Sequence, residues 1–258
     1  MPDSLESIKN IAGMKIQQAE LAAGDDREDD ARAFRLEALD LLEQVLAENP
    51  EAYRLRADKA YVLTQLGRTD AAQGIYDELL RSHGDDPDLL LDVVGLYAKQ
   101  KRFDDAGDLF MKVADIYKND DDFQNDAKLK GMYQEAGYNY QLAENYLKAI
   151  EAYDLANERD LNDEMIMVQR VQLNLQYGQS LIIEAAGLAE SDPDRSAELE
   201  AEARSYLQRA VDVGNALVDI APDNADGYYF LAQAQGALGD ETAFNENMKR
   251  YEELTGTQ

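Results

Sequence analysis

The side chains of this sequence that could perform chemistry are a single histidine and several runs of aspartate. His83 is the only histidine among 258 residues and lies in the stretch "RSHGDDP". A general base has to be held within hydrogen-bond reach of its nucleophile and oriented by a third group, and nothing around His83 forms such a Ser/His or Cys/His pattern. The chain also lacks cysteine and the phosphate loops GxxxxGKS/T and GxGxxG. The sequence therefore predicts no catalytic residue, no cofactor and no enzyme activity.

The aspartate runs come closest to a metal-site pattern. The stretch "DDDFQNDAKLKG" begins like a calcium-binding loop at Asp120 and Asp122. Asn125 then stands where the sharp turn of such a loop needs glycine, and Gly131 stands where the bidentate glutamate belongs. The stretch "SDPDRSAELEAEA" fails in the same way, with Ala203 at the last ligand position. Both runs are therefore interpreted as solvated acidic loops, and no metal site is predicted.

The charge of the chain limits its partners. The formal net charge is −28, from 53 acidic and 25 basic residues. A surface of this sign repels phosphate groups, so neither nucleic acid nor an anionic membrane is an expected partner. The acidic residues are spread along the whole chain, which favours adaptation to high intracellular salt. A surface that attracts a basic partner remains the alternative interpretation, although such a site should form a patch.

The hydrophobic pattern indicates a folded protein that does not cross a membrane. Apolar residues make up 45% of the chain, which is enough for a core in a chain of this length. No run approaches the ~18 apolar residues of a membrane span, and the start "MPDSLESIKN" has no apolar signal region. A cytoplasmic location is expected, unless a signal segment was removed.

Small residues recur along the chain at a fixed spacing. Ala38, Ala72 and Ala106 each begin a similar pattern and stand 34 residues apart. Ala149 and Ala210 begin the same pattern, but at distances of 43 and 61 from the preceding small residue. The extra residues fall in the polar stretches "KNDDDFQND" and "LIIEAAGLAESDPDRSAELEAEA". A repeat of this length indicates stacked supersecondary units interrupted by insertions.

The pattern is clearest in "GMYQEAGYNYQLAENYLKAIEAYDLA". Helical spacings of three, four and seven residues relate two sets of aromatic and small residues: Tyr133, Ala136, Gly137 and Tyr140, then Ala149, Tyr153 and Ala156. Two helices approach to about 8 Å only where their facing side chains are small. Gly137 and Ala149 are therefore predicted to mark the crossing of two helices, and Ala156 a contact with the next pair.

These residues resemble the tetratricopeptide repeat family, whose 34-residue unit is a helix–turn–helix. The resemblance is incomplete, because Arg56 and Leu90 stand where the family has a large aromatic residue. It implies an all-α fold, a right-handed α-solenoid of about five units and about ten helices in a single domain over residues 1–258. The units run approximately over 5–50, 51–86, 87–128, 129–162 and an elongated 163–222, followed by a final hairpin over 223–258.

The resemblance also implies a concave groove, lined by the first helix of each unit. Outward positions on these helices are less charged than the rest of the chain and combine tyrosine, glutamine and apolar residues. Such a surface suits a peptide or helical segment of a partner protein, because apolar anchors supply affinity and amides bond a backbone. The predicted groove residues are Tyr61, Leu91, Gln134, Tyr138, Gln141, Val168, Gln172 and Tyr229.

One specialised use of such a groove is not expected here. Chaperone-binding members of the family hold a C-terminal carboxylate with a clamp of Lys, Asn and Arg. The equivalent positions in this sequence hold Ala57, Tyr61, Asp92 and Gln134. The clamp is missing, so a co-chaperone role of that type is not predicted.

A second hypothesis places function outside the groove. The insertion should lengthen the helices around residues 164–221 into a protruding hairpin, with one set of side chains packed on another: Leu181, Ile182, Ala185 and Leu188 on Leu199, Ala203 and Tyr206. The last helix carries Phe244, Met248 and Tyr251 on one stripe. Either element could dock the chain in a complex or support a homo-oligomer, and the alternative is that the hairpin is a self-packed arm.

Overall fold

The computed structural model describes residues 4–119 and 125–256, and all regular structure there is α-helical. The bounds of the twelve helices are α1 (Leu5–Gly24), α2 (Glu28–Glu48), α3 (Tyr53–Gln65), α4 (Thr69–His83), α5 (Pro87–Lys99), α6 (Phe103–Lys118), α7 (Asp126–Leu142), α8 (Tyr146–Arg159), α9 (Glu164–Leu188), α10 (Pro193–Ile220), α11 (Ala225–Ala237) and α12 (Glu241–Thr255). The all-α class is confirmed. The count exceeds the expected ten because the final hairpin over 223–258 adds α11 and α12 to the five two-helix units.

Capping residues explain where many of these helices begin. The side chain of the residue before the helix accepts a hydrogen bond from a backbone N–H of the first turn at eight positions: Ser4, Asp86, Asn125, Asn145, Asp163, Asp192, Asn224 and Asp240. Pro87 and Pro193 occupy first-turn positions that need no hydrogen bond from their nitrogen. The sequence thus carries start signals for more than half of its helices.

The chain divides into two compact units, of which the first covers residues 1–116. Helices α1 and α2 pack together, as do α3 and α4, and α5 packs on both α3 and α4. The repeated alanines Ala38, Ala72 and Ala106 are completely buried, and so is Tyr76. The residues that repeat at 34-residue spacing therefore form the contacts of the core, as predicted.

The second unit covers residues 117–258 and repeats this arrangement with α7–α8, α9–α10 and α11–α12 as helix pairs. Ala149, Ala156 and Ala210 are completely buried. Gly137 lies directly beneath the ring of Tyr153, where α7 meets α8. The predicted crossing of these two helices is confirmed.

The long hairpin consists of α9 with 25 residues and α10 with 28. Its outer part has a small core of its own, formed by Leu181, Ala185, Leu199 and Ala203, against which Tyr177, Leu188 and Tyr206 pack. The hydroxyl of Ser196 donates to the buried carbonyl of Ala185 over 2.9 Å. The predicted packing is confirmed except at Ile182, which is 39% exposed and is not part of this small core.

No helix among the residues described is both long enough and apolar enough to cross a membrane.

Candidate functional site

A groove in the second unit separates the outer faces of α7 and α9. It has a volume of 840 Å³, and the ring of Tyr153 from α8 contributes to its floor. Helix α7 lines it with Met132, Gln134, Glu135, Tyr138, Gln141 and Leu142. Helix α9 lines it with Met165, Ile166, Gln169 and Gln172. We call this surface the α7/α9 groove.

Two ion pairs fix one end of the α7/α9 groove. The ammonium group of Lys130 on α7 lies 2.9 Å from a carboxylate oxygen of Asp160 and 3.0 Å from one of Asp163. Asp163 also caps α9 by accepting from the N–H of Ile166. The bond with Lys130 lowers the pKa of Asp160, and the same two carboxylates raise the pKa of Lys130. The start of α9 is thereby held against α7.

A second set of charges holds α9 against α8. Arg170 donates from its Nε to Asp154 on α8 over 2.8 Å, and Arg209 on α10 pairs with the other oxygen of the same carboxylate. Asp154 is partly buried, so its charge is shielded from water and held between two guanidinium groups. Helices α8, α9 and α10 therefore share one anchoring carboxylate.

Three large apolar side chains are exposed along the α7/α9 groove. Tyr138 is 52% exposed, Leu142 is 43% exposed and Met165 is 69% exposed. Single exposed apolar residues are ordinary, whereas a group of them at one concave surface is typical of a binding site. These three side chains can anchor apolar groups of a ligand.

Four glutamines share the groove with these anchors. Gln134, Gln141, Gln169 and Gln172 are all partly exposed there, and none of their amides hydrogen-bonds another residue in the part of the chain that the structure describes. Glu135 is the only charged side chain among the described residues of the lining. The groove therefore offers free amide donors and acceptors in a nearly uncharged setting.

The structure brings together four of the eight residues predicted for the groove. Gln134, Tyr138 and Gln141 lie on one face of α7, and Gln172 faces them from α9. Val168 lies instead against the apolar core between α9, α10 and α11. Tyr229 lies on α11, where its ring packs 5.3 Å from that of Tyr251.

The remaining two predicted residues belong to the first unit. Leu91 is half-buried on α5. Tyr61 is half-buried on α3, and its hydroxyl donates to Glu20 on α1 over 3.0 Å. Burial, followed by this hydrogen bond, raises the pKa of Tyr61 to about 12. Tyr61 is thus a neutral donor at physiological pH.

Sequence reasoning missed Leu142 and Gln169 as groove residues. Leu142 stands one helical turn after Tyr138 and is the last residue of α7. Extending the predicted stripe of groove residues on α7 by one turn would have included it. Gln169 follows Met165 by four residues and precedes Gln172 by three, which is the spacing of one helical face. The 34-residue repeat predicted Val168 as the groove residue in place of Gln169. Neighbouring side chains on a helix point about 100° apart, so this difference of one residue selects another face of α9.

The histidine and the aspartate runs show no catalytic or metal-binding arrangement in the described residues. His83 ends α4, and its ring stacks on that of Tyr53 with centroids 3.9 Å apart. Its Nδ1 lies 2.8 Å from the hydroxyl of the adjacent Ser82. Across 4–119 and 125–256, no three His, Cys, Asp or Glu side chains cluster as metal ligands. Asp120 and Asp122 lie outside the described residues.

Comparison with known proteins extends this description. The Tetratricopeptide repeat family matches residues 35–90. The comparison with curated proteins gives no match.

Solved structures supply the comparison of fold. YrrB, described as a TPR protein with an unusual peptide-binding site, is 15% identical over 83% of this chain and 91% of its own, with a TM-score of 0.51. MamA is 14% identical over 80% of this chain and 92% of its own, with a TM-score of 0.52. At such identities the likeness shows the fold alone. Together with the match at 35–90, it confirms the resemblance to tetratricopeptide repeat proteins that the sequence predicts.

Proposed function

We propose that the chain is a non-enzymatic interaction scaffold that binds an extended segment of a partner protein in the α7/α9 groove. The observation that carries this proposal is the combination of four free glutamine amides with three exposed apolar side chains on one concave surface. Proteins with this fold are in general modules for protein–protein interaction, which supports the class of partner.

The glutamines favour an extended ligand over a helical one. A helix satisfies its backbone N–H and C=O groups internally and presents only side chains to a groove. An extended segment leaves those groups available, and a primary amide can donate to one of them and accept from another. Gln134 and Gln141 on α7 face Gln169 and Gln172 on α9, so amides are available on both sides of a bound segment.

The lining also favours a ligand of low charge. Tyr138, Leu142 and Met165 offer contacts to apolar side chains, whereas Glu135 offers the only charge among the described lining residues. An acidic segment would be repelled by a chain of net charge −28. We therefore assign to this groove a segment with alternating apolar and uncharged polar residues.

A selection from a displayed library of random peptides, carried out with the full chain, tests the proposal. Synthetic peptides from the selected pool should bind Tyr138→Ala at least tenfold more weakly than the unchanged protein. The matched control is Leu147→Ala, which removes another half-exposed apolar side chain on α8 outside the lining. Equal binding by the unchanged protein and Tyr138→Ala would overturn the assignment.

A second candidate function is self-assembly through the long hairpin. Ile183 on α9 is 74% exposed, more than any other large apolar side chain among those described, and Ile182 beside it is 39% exposed. Sedimentation velocity at molar salt tests this candidate, with association expected for the unchanged protein and its loss in Ile183→Lys. A monomer at every concentration would exclude it.

A further inference from the structure

Glu135 carries the single carboxylate among the described residues that line the α7/α9 groove. Its side chain is exposed on α7, and its carboxylate forms neither an ion pair nor a hydrogen bond within the part of the chain that the structure describes. The other lining residues described are uncharged. The groove therefore holds one negative charge without a counter-charge.

The polar groups of α7 and α9 that could neutralise this charge have other partners. The side-chain amide of Asn139, one turn after Glu135, donates to the backbone carbonyl of Glu135 over 2.8 Å. The two helices carry three basic residues. Lys130 pairs with two aspartates, Arg170 pairs with a third, and Lys128 donates to a tyrosine hydroxyl. A counter-charge for Glu135 is thus expected from a ligand.

An aromatic ring stands on the same stripe of α7 as this carboxylate. Tyr138 follows Glu135 by three residues and Leu142 follows it by seven, which places the three side chains on one helical face. All three line the groove, and Tyr138 is 52% exposed. Carboxylate, ring and aliphatic group therefore border one part of the groove in that order.

A carboxylate followed by an exposed ring suits a guanidinium group better than an ammonium group. A guanidinium group can donate two parallel N–H bonds to a carboxylate, and its flat face stacks on an aromatic ring. An ammonium group is a compact and strongly hydrated point charge. Because the pair would stay partly exposed to water, it supplies selectivity more than affinity.

We propose that Glu135 selects an arginine in the segment that the α7/α9 groove binds, with the guanidinium group paired to the carboxylate and resting on the ring of Tyr138. The proposal rests on the proposed function of this groove, because apolar contacts and amides have to hold the segment. It adds one basic position to a segment that is otherwise apolar or uncharged. The net charge of −28 favours the approach of such a segment.

Selection from displayed random peptides, carried out with the full chain at about 0.1 M KCl, tests the role of Glu135. The unchanged protein should enrich peptides with arginine at one fixed position among apolar ones. Glu135→Gln should keep the apolar positions and lose the fixed arginine. The matched control is Glu158→Gln, which removes an exposed carboxylate of α8 outside the lining and should enrich the same peptides as the unchanged protein.

Synthetic peptides from the pool isolate the ion pair. Replacing the arginine with citrulline should weaken binding to the unchanged protein about three- to fivefold and leave binding to Glu135→Gln unaltered. Glu135→Arg should reverse the preference and favour the peptide with glutamate in place of arginine. At about 2 M KCl the difference between the arginine and citrulline peptides should fall below about twofold, while both still bind.

The results separate this inference from the proposed function. A pool that fixes lysine or no basic residue would overturn the role of Glu135 and leave the groove assigned. An arginine preference that survives Glu135→Gln would do the same. An empty pool, or binding that Tyr138→Ala leaves unchanged, would overturn the groove itself and the arginine with it.

Discussion

A β-carbon placed on Gly137 would lie 2.7 Å from two ring carbons of Tyr153. Real β-carbons do not approach other atoms so closely, so α7 and α8 meet at a distance that only glycine permits. The Tyr153 ring is itself buried and contributes to the floor of the α7/α9 groove. One helix crossing thus sets both the packing of the repeat and the depth of the groove.

Gly137→Ala should destabilise the protein by about 1–3 kcal/mol, because the gain in helix propensity is smaller than the cost of displacing a packed ring. Urea denaturation measures this change. Gly131→Ala in the same helix is the control, since no atom lies within 4 Å of its added β-carbon. That variant should be more stable than the unchanged protein by about 0.5–1 kcal/mol. A stabilising Gly137→Ala would show that the crossing can open without cost.

Asp92→Asn should stabilise the folded chain at neutral and alkaline pH. In the folded chain, burial raises the pKa of Asp92 from 3.8 to about 7. As the pH rises, Asp92 therefore loses its proton in the unfolded chain before it does so in the folded chain. The contribution of Asp92 to stability is fully present below pH 3.8 and is lost as pH rises through 7. At pH 8 the variant should exceed the unchanged protein by on the order of 2 kcal/mol.

The difference should shrink towards zero near pH 4, where Asp92 is protonated in the folded chain. Chemical denaturation at several pH values gives the profile, with the exposed Asp40→Asn as the control for net charge. A difference between Asp92→Asn and the unchanged protein that does not vary with pH would contradict a raised pKa at this position.

Asp154→Asn should lower the free energy of unfolding by about 1–2 kcal/mol, because it removes the charge that Arg170 and Arg209 share. The control is Glu158→Gln, which removes an exposed carboxylate one turn further along α8. Equal effects of the two substitutions on the urea midpoint would mean that the change reflects net charge alone.

Salt should stabilise the whole chain. At a net charge of −28 self-repulsion opposes the compact state, and ions screen it over a Debye length of about 10 Å at 0.1 M and about 3 Å at 1 M. The melting temperature should rise by roughly 5–10 °C between 0.1 M and 1 M KCl. The rise should be smaller at pH 4, where many carboxylates are protonated. A melting temperature independent of salt would contradict the interpretation of the acidic surface as salt-adapted.

The sequence predicted the helix contacts more accurately than it predicted the groove. Ala149 and Ala210 could be found because a close helix approach tolerates only small residues, and this constraint repeats with the fold. Val168 and Gln169 could not be distinguished in this way, since either one continues a helical stripe through Met165 and Gln172. Which of the two side chains lines the groove depends on how α7 lies beside α9. The position of α7 is fixed partly by the ion pairs of Lys130 with Asp160 and Asp163.

The burial of Asp92 could not be predicted from the sequence for a related reason. The 34-residue frame placed Asp92 at a position that normally serves ligand recognition, but the sequence does not show how far a carboxylate is buried. Burial and orientation come from the packing of α3, α4 and α5 together.

The α7/α9 groove carries almost no charge, whereas the rest of the chain is strongly acidic. Binding at the groove should therefore respond to salt differently from contacts between charged groups elsewhere on the chain. Ion screening weakens contacts between exposed charges but leaves apolar burial intact or strengthens it. An increase in ionic strength should therefore preserve capture of an uncharged segment by this groove. Binding at this groove would then persist through changes in the osmotic state of its surroundings.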